Sequence, residues 1–231
     1  MSELIDVVRS VNWNENCNSA VDDTEIYIIG EKSLVKLSNW CRQIENVYNN
    51  NPSLPFIREA QVSAQDFFCL VSLGLYKSSA SSLRTILESF LYFSYFKDHP
   101  VELNSLINVD KYYISKSDVL AYHNLHTPDF TDRSRGVGLT SRLEQSYAKI
   151  SAIVHGQMPG VWHSSPSLAN KRYDKDLVKE AINEFVEVVD IVNLMMLMLI
   201  SDEDWNNIDQ KVKAILINGV DPKFINLLDR N

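Results

Sequence analysis

Apolar residues along the chain recur mostly at intervals of three and four, so the pattern is helical over most of its length. Leu34, Leu37, Trp40, Cys41 and Ile44 predict a helix over 31–48. The asparagines and two prolines of NNNPSLP, 49–55, break that pattern and set an N-terminal helical appendage (1–50) apart from a helical bundle domain (56–231). Val62, Phe67, Leu70, Val71 and Leu75 mark a helix over 58–76, and a second reaches about Phe96. The serine-rich KSSASS between them places Ser78 or Ser79 as the N-cap of a tight helical hairpin.

A shorter helical pair is expected across 101–126. The stretch 126–141, HTPDFTDRSRGVGLTS, carries Pro128, Gly136, Gly138 and mixed charge, and reads as a long, functional kind of loop. The longest helix is expected near 176–200, where Val178, Ile182, Phe185, Val189, Val192, Met196 and Leu199 form the seam of a bundle helix. Ala181, Val188 and Met195 widen its buried face, a surplus that the bundle interior explains better than contact with another subunit does. Terminal helices over 204–218 and 221–229 complete an all-α chain.

Composition narrows this further. A chain of 231 residues with 45% hydrophobic content can bury a core without metal or disulfide support. Seven glycines and seven prolines are too few for a turn-rich β-protein. Cys17, Cys41 and Cys69 are odd in number and widely spaced, which implies reduced thiols of a cytoplasmic protein. The amino terminus has no basic-then-apolar signal pattern, and the run IVNLMMLMLI is far short of the roughly 20 residues a bilayer requires, so no membrane association is expected. Without a glycine-rich phosphate loop no cofactor is expected. His123 and His126 have zinc-compatible spacing but no further ligands to complete a metal site.

The net charge of −8 excludes a protein that coats nucleic acid with its whole surface. Between Thr131 and Lys175, however, seven basic residues stand against three acidic ones, a local +4 that leaves −12 for the rest. That basic segment contains His155.

Two places can carry chemistry. In SSLRTILESFLYFSYFKDHP the apolar positions nearly encircle the helix, and Arg84 and Glu88 lie four apart with Tyr92 and Tyr95 continuing their side. An interior Arg84–Glu88 pair is expected, either as a polar pin or as an anion holder with its orienting carboxylate. In LEQSYAKISAIVHG, Tyr147 belongs to the core stripe, while Ser151 and His155 continue a more polar row and Gly156 supplies a left-handed stop. At the negative end of the helix dipole the imidazolium form of His155 is favoured, which suits a general acid, a phosphate contact, or a simple cap. No Ser-His-Asp order or nucleophile elbow supports acyl transfer.

The pieces S-x-L-R-x-x-L-E, Ser81–Glu88, and V-H-G, Val154–Gly156, occur here in an order that resembles the helical HEPN-type proteins of bacterial defence and toxin systems, over residues 58–200. Active members are metal-independent ribonucleases with an R-x4-6-H motif on one helix and a site composed across a dimer. The resemblance therefore implies RNA as substrate, a homodimer, and a bundle fold of that type. The three allowed Arg positions hold Ala148, Lys149 and Ile150, so Lys149 is the cation that the motif offers. The implied site comprises His155 as acid or base, Arg84 or Lys149 as phosphate cation, Glu88 as orienter of Arg84, and Tyr147 and Ser151 as orienters of the imidazole. The alternative is a non-catalytic helical interaction subunit, or a neutralising partner in a defence complex, whose acidic body binds another protein.

Overall fold

The computed structural model describes residues 3–163 and 165–230, and over them the chain is all-helical. Three helices, α1 (Glu3–Ser10), α2 (Trp13–Asp22) and α3 (Thr24–Val47), precede a hairpin of α4 (Leu54–Ser72) and α5 (Tyr76–Phe96). Then come α6 (Pro100–Asn108), α7 (Lys116–His126), α8 (Phe130–Val137) and α9 (Leu139–Val154). After a single 3-10 turn (Leu168–Asn170), α10 (Lys175–Leu199) is followed by α11 (Asp202–Asn207), α12 (Gln210–Ile217) and α13 (Pro222–Leu227). No helix among the described residues is long and apolar enough to cross a membrane.

The nearly encircled apolar pattern of α5 makes it the central helix, packed against α4, α6, α7, α9 and α10. Leu83, Ile86, Leu87, Phe90 and Phe93 are buried on it. On α10 the predicted seam from Val178 to Met196 and the second row Ala181, Val188 and Met195 are interior, and Leu199 is partly covered at the end of the helix. The helix expected in an N-terminal appendage, α3, packs against α10 and α4, and Leu37, Trp40, Cys41 and Ile44 join the same core as Phe90 and Phe185. The buried Trp40 indole donates to Asn193 Oδ1 at 2.8 Å, and Asn193 donates to the Leu216 carbonyl at 3.0 Å. Segment 49–55 is a tight turn: Asn51 donates to the Lys97 carbonyl at 2.9 Å and accepts from the Ser53 hydroxyl at 2.6 Å.

Two local expectations are corrected. Ser78 and Ser79 do not cap α5, because the turn is made earlier by Gly74, at φ +74°, and the helix has already begun at Tyr76. The hydroxyl of Ser79 instead donates back to the Tyr76 carbonyl at 2.6 Å. The expected loop 126–141 contains α8, bounded by Asp129 and Gly138, both in left-handed conformation. Its inward residues are Phe130, Ser134 and Val137, and the serine in the middle interrupts the apolar period that would have revealed a helix.

Helix α9 is clamped to α10 by polar contacts. Arg142 makes a two-pronged pair with Glu187 at 2.8 and 2.7 Å. The buried Glu184 accepts from Ser146 and from Lys149, each at 2.7 Å. These bonds fix the rotation of α9 and hence the face that it turns toward α5.

Candidate active site

The end of α9 is closed by its own backbone. Gly156 takes φ +69°, its amide donates to the Ile153 carbonyl at 3.2 Å, and the Gln157 amide donates to the Ala152 carbonyl at 2.8 Å. This is the Schellman arrangement, in which the last carbonyls are satisfied without a side chain. The imidazole of His155 is therefore not spent as a cap. It points to α5, where Arg84 Nη1 lies 2.8 Å from its Nε2.

Arg84 is the hub of the cluster. Its Nε donates to Glu88 Oε1 at 2.9 Å, one turn further along α5, and its Nη2 donates to the Tyr147 hydroxyl at 3.1 Å. The Tyr147 hydroxyl in turn donates to Glu88 Oε1 at 2.7 Å, closing a ring of bonds around the guanidinium. Tyr147 and His155 are eight residues apart on α9, close to two turns, so one face of that helix presents both. The interior location expected for the ion pair is corrected: the Arg84 and Glu88 side chains keep 27% and 34% of their surface, and His155 is exposed. The apolar residues of α5 are covered on every side except this stripe, which α9 only partly overlaps.

The electrostatics follow from the geometry. Partial burial works against the Arg84 charge, but Glu88 and Tyr147 more than offset it and raise its pKa above the ordinary value. Burial and the Glu88 carboxylate push the Tyr147 phenol up, with Arg84 opposing, so this hydroxyl stays protonated and acts as a donor. A guanidinium can only donate, so the 2.8 Å contact requires His155 Nε2 to accept and Nδ1 to carry the proton.

The remaining expected site residues lie elsewhere. Lys149 is two positions from Tyr147 and therefore about 200° around the helix. It faces α10, with Nζ 2.7 Å from Glu184 and 3.6 Å from Glu180, and is not available to a phosphate at His155. The Ser151 hydroxyl is buried with no hydrogen-bond partner among the described residues, so it does not orient the imidazole. Tyr147 orients the guanidinium, not the ring.

The basic segment also changes meaning. Five of its seven cations, Arg133, Arg135, Arg142, Lys149 and Lys175, are paired with Asp229, Asp132, Glu187, Glu184 and Asp23. The positive charge at the site comes instead from Arg84 on α5, with Lys77 and Lys116 close by. Lys77 Nζ is 3.6 Å from where a Cβ on Gly156 would sit, and Lys116 Nζ stands 4.9 Å over the Tyr147 ring. Sequence reasoning did not single out either lysine. The one available signal was that Lys77 lies seven residues before Arg84 and so shares its helix face.

His123 and His126 are not a metal pair: buried His123 bonds to the Ser94 and Thr127 hydroxyls at 3.0 Å each. No group of three or more His, Cys, Asp or Glu among the described residues is placed to hold a metal ion. The cluster thus offers a lone-pair nitrogen, a fixed cation with two N–H bonds left, a carboxylate and a phenol donor, arranged on an open surface. No protein-family model, curated protein or solved structure matches the chain.

Proposed function

We propose that Arg84, Glu88, Tyr147 and His155 form the active site of a metal-independent endoribonuclease, a HEPN-like protein of a bacterial anti-phage defence or toxin–antitoxin system. The observation that carries this reading is the 2.8 Å contact between Arg84 and His155, made across two helices. The R-x4-6-H motif of the resembling family puts both groups on one helix. Here α9 lacks the arginine, and α5 supplies a guanidinium to the same imidazole.

The chemistry needs a base for the 2′-hydroxyl proton and a cation for the charge gathering on phosphorus. A phosphate oxygen accepts the Nη1–H bond that His155 otherwise holds, and the Nε2 lone pair is released. His155 Nε2 then takes the 2′-hydroxyl proton, O2′ bonds to phosphorus, and the P–O5′ bond breaks. The 5′-oxygen draws a proton from solvent, to which the imidazolium returns its own. The products are a 2′,3′-cyclic phosphate and a 5′-hydroxyl. Glu88 and Tyr147 hold the guanidinium in register throughout. Each step uses groups of one chain, and a homodimer brings a second copy of the site without completing the first.

One observation favours the non-catalytic interaction subunit: all three polar partners of Arg84 are internal, as in a pin between α5 and α9. Incubating the purified chain with unstructured RNA, in chelator and in magnesium, separates the two readings. Cleavage in both conditions is the expected result. RNA left intact in both by folded protein rejects the nuclease in favour of the interaction subunit.

A further inference from the structure

Lys77, in the first turn of α5, stands about two turns before Arg84, on the same face and about 10 Å away along the axis. Its ammonium lies against the chain reversal at Gly156, immediately beyond His155. Lys116 is the first residue of α7, and its ammonium covers the Tyr147 ring, about two and a half turns from the Gly156 end of α9. The two lysines therefore stand at opposite ends of the Arg84–Glu88–Tyr147–His155 cluster. Neither has a carboxylate within ion-pair distance among the described residues, and neither donates a hydrogen bond there. This sets them apart from the paired cations of 131–175, where Lys149, Arg142 and Arg133 each meet an acid at 2.9 Å or less. Lys77, Arg84 and Lys116 thus follow one another along this line on an acidic protein, and of the three only Arg84 is paired with a carboxylate, Glu88.

Resting on the nuclease reading of the cluster, we propose that Lys77 and Lys116 bind the phosphates on either side of the scissile one, so that the substrate is a single RNA strand laid along the line where α5 meets α9. In-line attack requires O2′, phosphorus and O5′ to align, which an unstacked strand permits and a regular A-form duplex does not. Arg84 takes the central phosphate, and the flanking lysines fix the strand's register over His155. As point charges on flexible stems they hold backbone without reading bases, so the site accepts many sequences. Gly156 is part of this arrangement: at φ +69° any side chain is strained, and the Lys77 ammonium lies at van der Waals distance, 3.6 Å, from where its Cβ would be.

The test is binding of a short, fluorescently labelled RNA with 2′-O-methyl groups throughout, which cannot be cleaved, followed by anisotropy over a range of salt concentrations. Lys77→Ala and Lys116→Ala are each expected to weaken binding roughly 3- to 10-fold and to reduce the slope of log K against log salt by about 0.7, the value for one phosphate contact on a single strand. Lys77→Arg should restore the slope, and Arg135→Ala, exposed on α8 and paired with Asp132, should bind as wild type does. If wild-type protein cleaves RNA but both alanine variants bind with unchanged affinity and slope, the flanking contacts are wrong and the nuclease reading survives. If Arg135→Ala loses as much as either lysine variant, binding is diffuse and the proposal fails. If the wild type neither cleaves RNA nor binds the analogue, the nuclease reading falls and the proposal with it.

Discussion

Arg84 and His155, 71 residues apart in the chain, meet at 2.8 Å between Nη1 and Nε2, and the backbone bonds closing α9 leave the imidazole no other helix-end duty. The partial exposure of the Arg84–Glu88 pair sets the scale for its removal. Arg84→Ala is expected to cost about 1–2 kcal/mol, not the roughly 3–5 of a fully buried pair. It should also abolish cleavage. Arg84→Lys keeps the charge but cannot reach Glu88, Tyr147 and His155 together, so its stability should be near wild type and its cleavage as poor as that of Arg84→Ala. Thermal melts and cleavage assays on the two variants check this, and a fully active Arg84→Lys would contradict it.

Tyr147→Phe removes a hydroxyl that accepts from Arg84 at 3.1 Å and donates to Glu88 at 2.7 Å. The ring still packs against the core and under Lys116, so the expected stability loss is about 1 kcal/mol. Cleavage should fall by roughly 10-fold or more, because the guanidinium loses one of the bonds that hold it in register. Unchanged turnover would show that Glu88 alone positions Arg84.

Lys149 is expected to behave as a structural residue. Lys149→Met leaves the buried Glu184 with only the Ser146 hydroxyl as a partner, which should cost about 2 kcal/mol in chemical denaturation, discounted for the partial exposure of the lysine. Cleavage per folded molecule should be unaltered. A large loss of turnover at full stability would return Lys149 to the site.

His123 gives the fold a pH dependence of definite sign. Burial first, and then Lys97, lower its pKa from 6.5 to about 4. Above 6.5 the ring is neutral in both folded and unfolded chains; below it the unfolded chain takes up a proton that the folded one refuses. Its contribution is thus fully present above pH 6.5 and lost as pH falls through 4. Between pH 7 and pH 4.5 this amounts to about 2 kcal/mol. His123→Gln should lose about that much less stability over the same range than wild type does, measured by urea denaturation at the two pH values. Equal losses would mean that His123 protonates in place.

Much of this fold was legible in the periodicity of the chain. The encircled apolar positions of α5 and the seam of α10 each required burial on all or most sides, and both are interior except Leu199 at the end of α10. His155-Gly156 was readable as a helix end because a left-handed residue is needed there. What could not be read was long-range pairing. The +4 segment loses its charge to Glu184, Glu187, Asp229 and Asp23, none of them within it. Which way Lys149 points depends on how α9 is rotated against α10, and its spacing to His155 says nothing about that. Helix α8 was hidden because Ser134 occupies an inward position that an apolar residue would have marked.

The most direct test of the account is the pair of wild type and His155→Ala on one RNA in chelator, with product ends analysed. Wild type should yield 2′,3′-cyclic phosphate and 5′-hydroxyl ends, and His155→Ala should cleave at least about 100-fold more slowly. Its melting temperature should stay within a few degrees, because the carbonyls at the end of α9 keep their backbone partners. A His155→Ala variant that folds and cleaves at the wild-type rate, or wild-type products ending in 5′-phosphate, would contradict the assignment of His155 Nε2 as the base.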